Sequence, residues 1–423
     1  MDALVAVRVE NVDGSCIQFE VGEEAGQFIQ LRFVKDASAE GEGVVGLRID
    51  FHIEYSDAFI ERFGEVIEDV LHGTILPSVI ACAPHEETMK LSWEPITLDL
   101  RTTFRVAHGA SDQRHNVLVY LDDGVGEAAA VPYYGETQEG IIEYLKSVPD
   151  LGDDLFDMDA ILDKRPAGSR AARSAIDEAL HDLWGKKLNQ PLYKLFGLNP
   201  QNIPLTSFTI GMDEPHVMAE QAKASGHPIL KIKLGGEEDE ARVKAIRGAT
   251  NSKLRVDANA GWSRERALQI IPRLAEYDLE FIEQPLAVDD VDGYFWLKKK
   301  LLAQKVHVPI FADETAKTSH DVAKLAGAID GVVVKTMKSE GIREMMRMIH
   351  TARAHDMRIM LSCMVESSVG VTAAAHLAPL CDYADLDGPL LIKNDPYRGV
   401  TYDGAKMLLP SSAGIGVERI KSS

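Results

Sequence analysis

Between Lys231 and Asp387 the chain repeats one pattern six times, and this repetition restricts its fold more than any other feature. Each repeat is a short apolar run that ends in a charged side chain; the runs read ILKIKLGG, KLRVDANAGW, LEFIEQPL, VPIFADET, GVVVKTMKS and YADLDGP. Strands that alternate with helices predict parallel βαβ units, and this many units favour a closed β/α barrel over an open sheet. The intervening segments carry helical spacing at i, i+3, i+4 and i+7, in Ala267, Ile270, Ile271 and Leu274 and in Ile342, Met345, Met346 and Ile349.

The charged side chains lie where a barrel of this kind places its chemistry. Catalytic groups of a closed β/α barrel come from the C-terminal ends of its strands, where the following loops begin. We therefore expect these side chains to converge on one rim. At or near the ends of the predicted strands are Lys231, Lys233, Asp257, Glu283, Asp313, Lys335, Asp385 and Asp387.

Three carboxylates from successive predicted strands indicate a metal site. Asp257, Glu283 and Asp313 would meet as hard oxygen ligands, which suit Mg²⁺. A divalent cation can hold a substrate carboxylate and stabilise the enediolate that forms when the neighbouring α-proton leaves. The three residues are thus candidate ligands for a cation that supports proton abstraction.

Three lysines are placed to move that proton. Lys231 and Lys233 alternate with Ile232, so both amines point to one side of their strand, while Lys335 comes from a strand across the barrel. An amine close to a metal has a lowered pKa, and a lysine with a pKa of roughly 7–8 can act as a general base. Two lysines on opposite faces of one carbon are the arrangement that a racemase or epimerase needs.

Each of these signals has a structural alternative. A Lys-x-Lys pair on a strand is also typical of a solvated face, and an acid that ends a strand often caps the next helix. Lys335 follows three valines and could be a surface group with a buried stem. Asp385 and Asp387 could belong to a turn, and Lys338 is best interpreted as structural. The catalytic interpretation is favoured because it explains the whole set at once.

From about Met89 to about Val417 the sequence resembles the enolase superfamily, and within it the muconate lactonizing enzyme subgroup. The motifs that carry the resemblance are the Lys231-x-Lys233 pair, DAN at Asp257, EQP at Glu283, ADE at Asp313 and VVVKTMK at Lys335. The resemblance implies an α/β fold with a (β/α)7β barrel and an α+β cap domain. It also implies Lys233 and Lys335 as the acid/base pair, Lys231 as electrostatic support and the three carboxylates as Mg²⁺ ligands.

Asp385-x-Asp387 resembles the motif with which dipeptide epimerases of this subgroup hold the α-ammonium of the substrate. The implied function is Mg²⁺-dependent epimerisation of the C-terminal residue of a dipeptide by two-base 1,1-proton transfer. The alternatives on the same site are an o-succinylbenzoate synthase, an N-acylamino acid racemase or a muconate-type cycloisomerase. An alternative of another class is a non-catalytic, enolase-like binding protein.

In the family, two loops of the cap close over the barrel mouth, and they correspond here to residues 104–111 and 132–135. Epimerases of L-Ala-D/L-Glu carry an arginine two residues after the glycine that matches Gly109, where this chain has Ser111. Selectivity for an acidic side chain is therefore in doubt, and the side chains of the dipeptide stay open. The candidates to contact the substrate are Arg105, His108 and Tyr134 in the cap, and Thr209 and Met364 in the barrel.

The pattern divides the chain into four parts: an extension over 1–88, the cap over 89–203, the barrel over 204–390 and a tail over 391–423 that returns to the cap. In the extension, alternating apolar residues predict four strands, and SDAFIERFGEVIEDVLHG predicts an amphipathic helix. The extension is therefore expected to be a small α+β domain. It contains no motif that assigns a role.

Composition limits the partners. Lys and Arg number 45 against 66 Asp and Glu, a formal charge of −21, which argues against nucleic acid or an anionic membrane surface. The four cysteines form no C-x-x-C pair, and neither a secretory signal nor a membrane-spanning run is apparent. We expect a cytoplasmic enzyme that acts on a small molecule and possibly forms a homo-oligomer.

Overall fold

The computed structural model describes residues 6–12, 16–23, 27–34, 46–50, 88–107, 109–152 and 154–421. The chain forms two compact units, Met1–Glu87 and Thr88–Ser423. In the first unit, four antiparallel strands follow one another in the sheet at the positions where alternation predicts them. They are β1 (Ala6–Val12), β2 (Cys16–Glu23), β3 (Gln27–Val34) and β4 (Gly46–Asp50). The helix predicted over residues 56–73 lies outside the described residues.

The second unit begins with residues 88–203, which we call the cap. Its three-stranded antiparallel sheet has the order β5 (Leu91–Pro95), β8 (Val117–Leu121), β9 (Gly124–Ala128), and a hairpin joins β6 (Leu98–Val106) to β7 (Gly109–Arg114). The main helix of the cap lies directly against β9. The cap helices are α1 (Gln138–Ser147), α2 (Met158–Asp163), α3 (Arg170–Lys187) and α4 (Leu192–Leu195), with single 3₁₀ turns at Pro132–Tyr134 and Pro200–Asn202.

Two glycines allow α3 to approach the sheet closely. A Cβ atom at Gly124 would lie 2.1 Å from the Ala179 carbonyl oxygen, and one at Gly126 would lie 2.1 Å from the Ala175 carbonyl oxygen. Any side chain at either position would push the helix away. The buried alanines of α3 therefore have matching glycines on the strand.

Eight parallel strands form the barrel, and the polar groups lie at its C-terminal rim. In sheet order the strands are β10 (Phe208–Ile210), β11 (Ile229–Lys233), β12 (Lys253–Asp257), β13 (Leu279–Glu283), β14 (Ile310–Ala312), β15 (Gly331–Val334), β16 (Arg358–Ser362) and β17 (Tyr383–Asp385). A parallel bridge between Thr206 and Ala384 connects the first strand region to the last. The sheet therefore closes on itself, as the repeated βαβ pattern predicts.

One helix connects each barrel strand to the next, and the apolar face of each helix covers the sheet. The helices are α5 (Pro215–Ser225), α6 (Asp239–Ala249), α7 (Arg264–Leu274), α8 (Val291–Ala303), α9 (Ser319–Lys324), α10 (Ile342–Ala354) and α11 (Ser368–Ala375). Further 3₁₀ turns lie at Ala275–Tyr277, Met337–Ser339 and Ala378–Leu380. All four predicted residues of α7 are buried. On α10 three of the four predicted residues are buried, and the fourth, Met346, is partly buried and packs against the same core; Met348 and Ala352 continue the buried face.

After α12 (Gly388–Leu391) the chain returns to the cap. The tail contains two antiparallel pairs, β18 (Tyr397–Arg398) with β21 (Glu418–Arg419), and β19 (Thr401–Asp403) with β20 (Lys406–Leu408). The Ile415 amide donates to a carboxylate oxygen of Asp182 on α3 at 2.8 Å. No helix in the described part of the chain combines the length and apolar character needed to cross a membrane.

Buried carboxylates of the cap join it to the barrel by accepting hydrogen bonds at the N-termini of barrel helices. Glu127 on β9 accepts the backbone amides of Ser367, at 3.0 Å, and of Gly370, at 3.2 Å, at the start of α11. Asp177 on α3 accepts the amide of Ile342, at 2.7 Å, at the start of α10. These contacts satisfy amides that a helix leaves unpaired, and they fix the cap against the barrel.

We predict that Glu127→Ala lowers the free energy of unfolding by about 3 kcal/mol, because it leaves buried amide and hydroxyl donors without a partner. Urea unfolding followed by circular dichroism measures this. The control is Glu143→Ala, which removes an exposed carboxylate of α1 and should change stability by less than about 0.5 kcal/mol. Equal effects of the two substitutions would contradict a role for Glu127 in joining the cap to the barrel.

Candidate active site

Three carboxylates converge at the C-terminal rim of the barrel. Asp257 ends β12, Glu283 ends β13 and Asp313 directly follows β14; all three are fully buried. Each offers an oxygen within 4.8 Å of oxygens from the other two. Burial raises the pKa of Glu283 well above its usual value, and the Asp257 carboxylate adds to this. Three acids held this close without water are suited to share a cation.

The donor set fits Mg²⁺. All three groups supply hard oxygen ligands, which magnesium prefers. Buried oxygens of Glu283, Asn259 and Glu314 lack a hydrogen-bond partner among the described residues. The Glu283 oxygen, Oε2, lies 2.9 Å from the Lys231 amine but is not oriented to accept a hydrogen bond from it. Since buried oxygens are costly to leave unpaired, this region has unused capacity to bind a cation and its ligands.

Two further lysines lie on opposite sides of the carboxylates. Lys233 ends β11, the second barrel strand, and its amine donates to Asp257 at 2.7 Å. Lys335 directly follows β15, the sixth strand, and its amine donates to Asp313 at 2.7 Å. Their strands are four positions apart around an eight-stranded barrel, so the two amines approach the centre from opposite directions. Both side chains are buried, which limits access of water to any proton they exchange.

Two of the amines at this rim, those of Lys335 and Lys231, are held in their charged form. Burial lowers the pKa of Lys335, but the Asp313 carboxylate outweighs it and the pKa lies above its usual value. Lys231 contacts Glu283 at 2.9 Å and Asp385 at 2.8 Å. Burial again opposes the charge, yet Asp385, Glu283 and Asp257 together raise the pKa of Lys231 well above its usual value. A divalent cation among these carboxylates cancels part of their charge and so favours the neutral amine.

Sequence reasoning missed the role of Lys338. Its fully buried amine donates to Asp313 Oδ1 at 2.5 Å and to the carbonyl oxygens of Asp313 and Val333. Lys338 lies in the 3₁₀ turn after β15, which brings it beneath Asp313. It is structural, as predicted, but what it holds in place is one of the three clustered carboxylates. A lysine three residues after another in an apolar segment was the only sequence signal.

The two aspartates of the YADLDGP segment lie at the same rim. Asp385 ends β17, and Asp387 follows two residues later. The Thr209 amide on β10 donates to Asp387 at 2.7 Å, so the predicted mouth residue Thr209 supports this carboxylate directly. Burial and the neighbouring Asp385 charge raise the pKa of Asp387 to about 7.

Among the cap candidates, the structure brings Tyr134 close to the carboxylates. Burial, followed by the charges of Asp313 and Glu314, raises the pKa of Tyr134 well above its usual value. Met364, which follows β16, packs in the same apolar cluster as Tyr134. The second cap loop and the segment after the seventh strand therefore pack against one apolar cluster, and Tyr134 of that loop lies close to the carboxylates.

The first cap loop contributes less than the sequence predicts. Arg105 forms an ion pair with Asp213 at 3.2 Å, its side chain is 48% exposed, and its carbonyl oxygen accepts the Met212 amide at 3.0 Å. Arg105 therefore fastens the β6–β7 hairpin to the loop after β10 instead of reaching the carboxylates. His108 lies outside the described residues.

A cavity of about 960 Å³ lies between the β6–β7 hairpin and the start of α1. Ser111 and Arg114 line it, together with Arg101, His115 and Lys393. Its lining includes none of the clustered carboxylates and none of the three rim lysines. Arg114, at the end of β7, is therefore part of a separate cavity.

Comparison with known proteins establishes the family. Residues 94–197 match the model of the mandelate racemase / muconate lactonizing enzyme N-terminal domain, and residues 217–421 match that of the enolase C-terminal domain-like family. The chain belongs to the enolase superfamily. This confirms the superfamily that the barrel-strand motifs predict, and it agrees with the closed barrel and the cap.

This chain aligns with nearly the whole length of its curated relatives in the superfamily. An L-Ala-D/L-Glu epimerase of Bacteroides thetaiotaomicron is 39% identical over 370 residues, 84% of this chain and 95% of that protein. A hydrophobic dipeptide epimerase of Enterococcus faecalis is 35% identical over 346 residues, 76% of this chain and 96% of that protein. These relatives confirm the prediction of an enzyme of the racemase and epimerase type.

Solved structures of the superfamily agree with the fold and the cofactor. A dipeptide epimerase from Cytophaga hutchinsonii, complexed with Mg and D-Ala-L-Val, has a TM-score of 0.74 at 28% identity. The superposition includes 79% of this chain and 96% of the epimerase chain. A dipeptide epimerase from Enterococcus faecalis, complexed with Mg and L-Leu-L-Tyr, has a TM-score of 0.72 at 32% identity. The superposition includes 78% of this chain and 100% of the epimerase chain. Together with the buried Asp/Glu/Asp group, they confirm the predicted Mg²⁺ cofactor.

We predict that Asp313→Asn weakens Mg²⁺ binding at least about 100-fold, because it removes a charged ligand and leaves Lys335 and Lys338 facing an uncharged amide. Isothermal titration calorimetry with MgCl₂ measures the change. The control Glu276→Gln removes an exposed surface acid and should leave Mg²⁺ affinity unchanged. Unaltered affinity in Asp313→Asn would exclude Asp313 as a ligand.

Proposed function

We propose that this protein is a Mg²⁺-dependent dipeptide epimerase that inverts the α-carbon of the C-terminal residue. The observation that carries the proposal is the pair of buried lysines on opposite sides of the barrel, each hydrogen-bonded to a different carboxylate of the Asp/Glu/Asp group. A single base suffices for a one-way elimination, whereas inversion in both directions needs a proton donor on each face.

In the proposed mechanism Asp257, Glu283 and Asp313 hold Mg²⁺, whose charge offsets the negative charge that develops at the substrate's C-terminal carboxylate. Lys233 removes the α-proton from one face, and Lys335 returns a proton to the other. For the opposite stereoisomer the two lysines exchange roles.

Lys231 supports this chemistry without exchanging a proton. Its raised pKa keeps it cationic, so it adds fixed positive charge beside the substrate carboxylate. Burial of all three amines excludes water and strengthens each of these electrostatic interactions.

The dipeptide substrate is supported by the acidic corner at Asp385 and Asp387, where an α-ammonium group would bind. N-acylamino acids and o-succinylbenzoate precursors carry no ammonium group. The alternative reactions therefore do not explain the two carboxylates at Asp385 and Asp387. Tyr134 and Met364 are proposed to contact the substrate side chain, since both pack against one apolar cluster and Tyr134 lies close to the carboxylates.

Selectivity for particular side chains stays open. The first cap loop has Ser111 where the L-Ala-D/L-Glu family pattern has arginine, and Arg105 is paired with Asp213. The division into domains, the role of residues 1–88, the cytoplasmic location and the oligomeric state stay predictions.

We predict that Lys233→Ala and Lys335→Ala each abolish epimerisation of both stereoisomers of a dipeptide substrate. Each variant keeps one lysine, so exchange of the α-proton with D₂O survives for one stereoisomer only, and for opposite stereoisomers in the two variants. Mass spectrometry of L-Ala-L-Glu, L-Ala-L-Leu and L-Leu-L-Tyr with their C-terminal epimers measures both reactions.

The matched control is Lys300→Ala, which removes a lysine from the surface of α8 and should retain full activity. Full turnover in either single-lysine variant would exclude the two-base mechanism. Failure of the wild-type protein with Mg²⁺ to act on any dipeptide of a broad library would exclude the substrate class.

We predict that kcat/KM for a dipeptide rises about tenfold per pH unit below pH 7 and levels off above it. Asp387, with its pKa raised to about 7, is neutral at lower pH and cannot attract the ammonium; it becomes anionic as pH rises. Initial rates between pH 5.5 and 8.5 measure the profile. Asp387→Asn should lower kcat/KM and remove the rise, whereas Glu220→Gln, which changes an exposed acid of α5, should keep it. An unchanged profile in Asp387→Asn would refute the assignment.

A further inference from the structure

Asn259 and Glu314 lie beside the three clustered carboxylates, and each keeps one buried oxygen without a hydrogen-bond partner. Asn259 follows Asp257 by two residues, and Glu314 directly follows Asp313. Asn259 is 8% exposed and Glu314 is 3% exposed, and Asn259 Oδ1 and Glu314 Oε2 accept no hydrogen bond from any described residue. Because a buried polar atom without a partner costs free energy, two of them at one place indicate a ligand that supplies donors.

A hydrogen bond connects the two side chains past the end of β13. The Asn259 side-chain nitrogen, Nδ2, donates to Glu314 Oε1 at 3.1 Å and to Asp257 Oδ2 at 3.3 Å. Asn259 belongs to the loop after β12 and Glu314 to the loop after β14, and β13, which ends in Glu283, lies between those strands in the sheet. The two side chains, which we call the Asn259–Glu314 bridge, therefore border the carboxylates on this side of the rim.

The polypeptide backbone directs both side chains of the bridge. Asn259 has a left-handed conformation with a φ of 43°, which asparagine adopts more readily than most residues. On the other side, Gln284 Oε1 accepts the backbone amides of Asp313, at 2.9 Å, and of Thr315, at 3.2 Å, and so fixes the chain before and after Glu314. The two unpaired oxygens are therefore held in place before any ligand binds.

The nearby lysines do not supply the donors that these two oxygens lack. Lys233 donates to Asp257, whereas Lys335 and Lys338 donate to Asp313. Mg²⁺ brings donors of another kind, because it requires octahedral coordination and keeps several water molecules when it binds to a few carboxylates. Groups that hydrogen-bond to the ligands of a metal, without binding the metal themselves, orient those ligands and tune the affinity for the metal.

We propose that Asn259 and Glu314 are positioning residues that accept hydrogen bonds from water molecules bound to the Mg²⁺ ion, and that this favours Mg²⁺ over Ca²⁺. A carboxylate oxygen and a side-chain carbonyl oxygen are both acceptors, as such water molecules require. Ca²⁺ takes oxygen ligands in larger number and in a flexible arrangement, so it depends less on oriented water. The inference rests on the cofactor of the proposed function and not on its substrate, so its test needs no dipeptide.

The test measures cation binding to the full chain without substrate. Glu314→Gln keeps an acceptor for Asn259 and replaces the unpaired oxygen by an NH₂ donor. Asn259→Gly removes the side chain but keeps the left-handed backbone, which glycine adopts freely. The control Glu276→Gln changes an exposed acid. Calorimetry with MgCl₂ and with CaCl₂ gives the two dissociation constants, and nuclear magnetic relaxation of water by bound Mn²⁺ gives the number of water molecules on the ion and their exchange rate.

Glu314→Gln and Asn259→Gly should each weaken Mg²⁺ binding about 10- to 100-fold and Ca²⁺ binding less than about threefold. In both variants the water molecules on Mn²⁺ should exchange faster, because they have lost an acceptor, while their number stays the same. Glu276→Gln should change none of these quantities.

Unchanged Mg²⁺ affinity in Glu314→Gln would refute the inference. An equal loss of Mg²⁺ and Ca²⁺ affinity would refute it too, since it would show that the substitution displaces the metal carboxylates themselves. Thermal unfolding of the metal-free variants checks that they fold; if Asn259→Gly does not fold, Glu314→Gln decides the question by the same criteria. A wild-type protein that binds Mg²⁺ but converts no dipeptide would instead refute the proposed function and leave this inference standing.

Discussion

The balance between buried acids and buried amines at one rim of the barrel determines the rest of this structure. Asp257, Glu283 and Asp313 would repel one another if they stood alone in a dry interior. Lys233 neutralises the first and Lys335 the third, each at 2.7 Å. Because every one of these groups is fixed by the end of a strand, the barrel must close for the charges to compensate. The same compensation places two lysine amines on opposite sides of one central space.

How much of this could be predicted depended on whether a residue belonged to a repeating pattern. Asp257 and Glu283 end apolar runs of period two, so the strand and its rim position follow from the sequence together. Lys338 lies in an irregular turn, where no periodicity gives its direction, and only the fold reveals that it holds Asp313. The hydrogen bonds of Ser207 and Ser362 to Asp385 could not be predicted either, because a serine near a strand end has no distinctive sequence signal. Met346 is only partly buried because it lies at the edge of the core-facing side of α10.

The position of the cap could not be predicted from local patterns, since it depends on contacts between distant segments. Glu127 accepts amides at the start of α11, some 240 positions later in the chain, and Asp177 does the same for α10. These bonds join the cap to the barrel on the side from which Tyr134 approaches the carboxylates. The ion pair between Arg105 and Asp213 is exposed by comparison, and an exposed ion pair stabilises a protein by about 1 kcal/mol or less. The first cap loop is therefore the part of the described cap that can open at least cost.

The buried rim of the barrel is thus held more firmly than the first cap loop, and the proposed function assigns proton transfer to the rim and substrate selection to the cap. The metal carboxylates and lysines are locked by charge compensation, so the proton-transfer geometry is insensitive to which side chain enters. In the proposed function the substrate's amino end would bind beside Asp387, which forms no ion pair with a lysine among the described residues. In the same proposal, Tyr134, Met364 and the weakly held first cap loop would contact the side chains of the substrate. Substitutions in that loop can alter the accepted dipeptides while the buried rim, and with it the inversion of the α-carbon, stays unchanged.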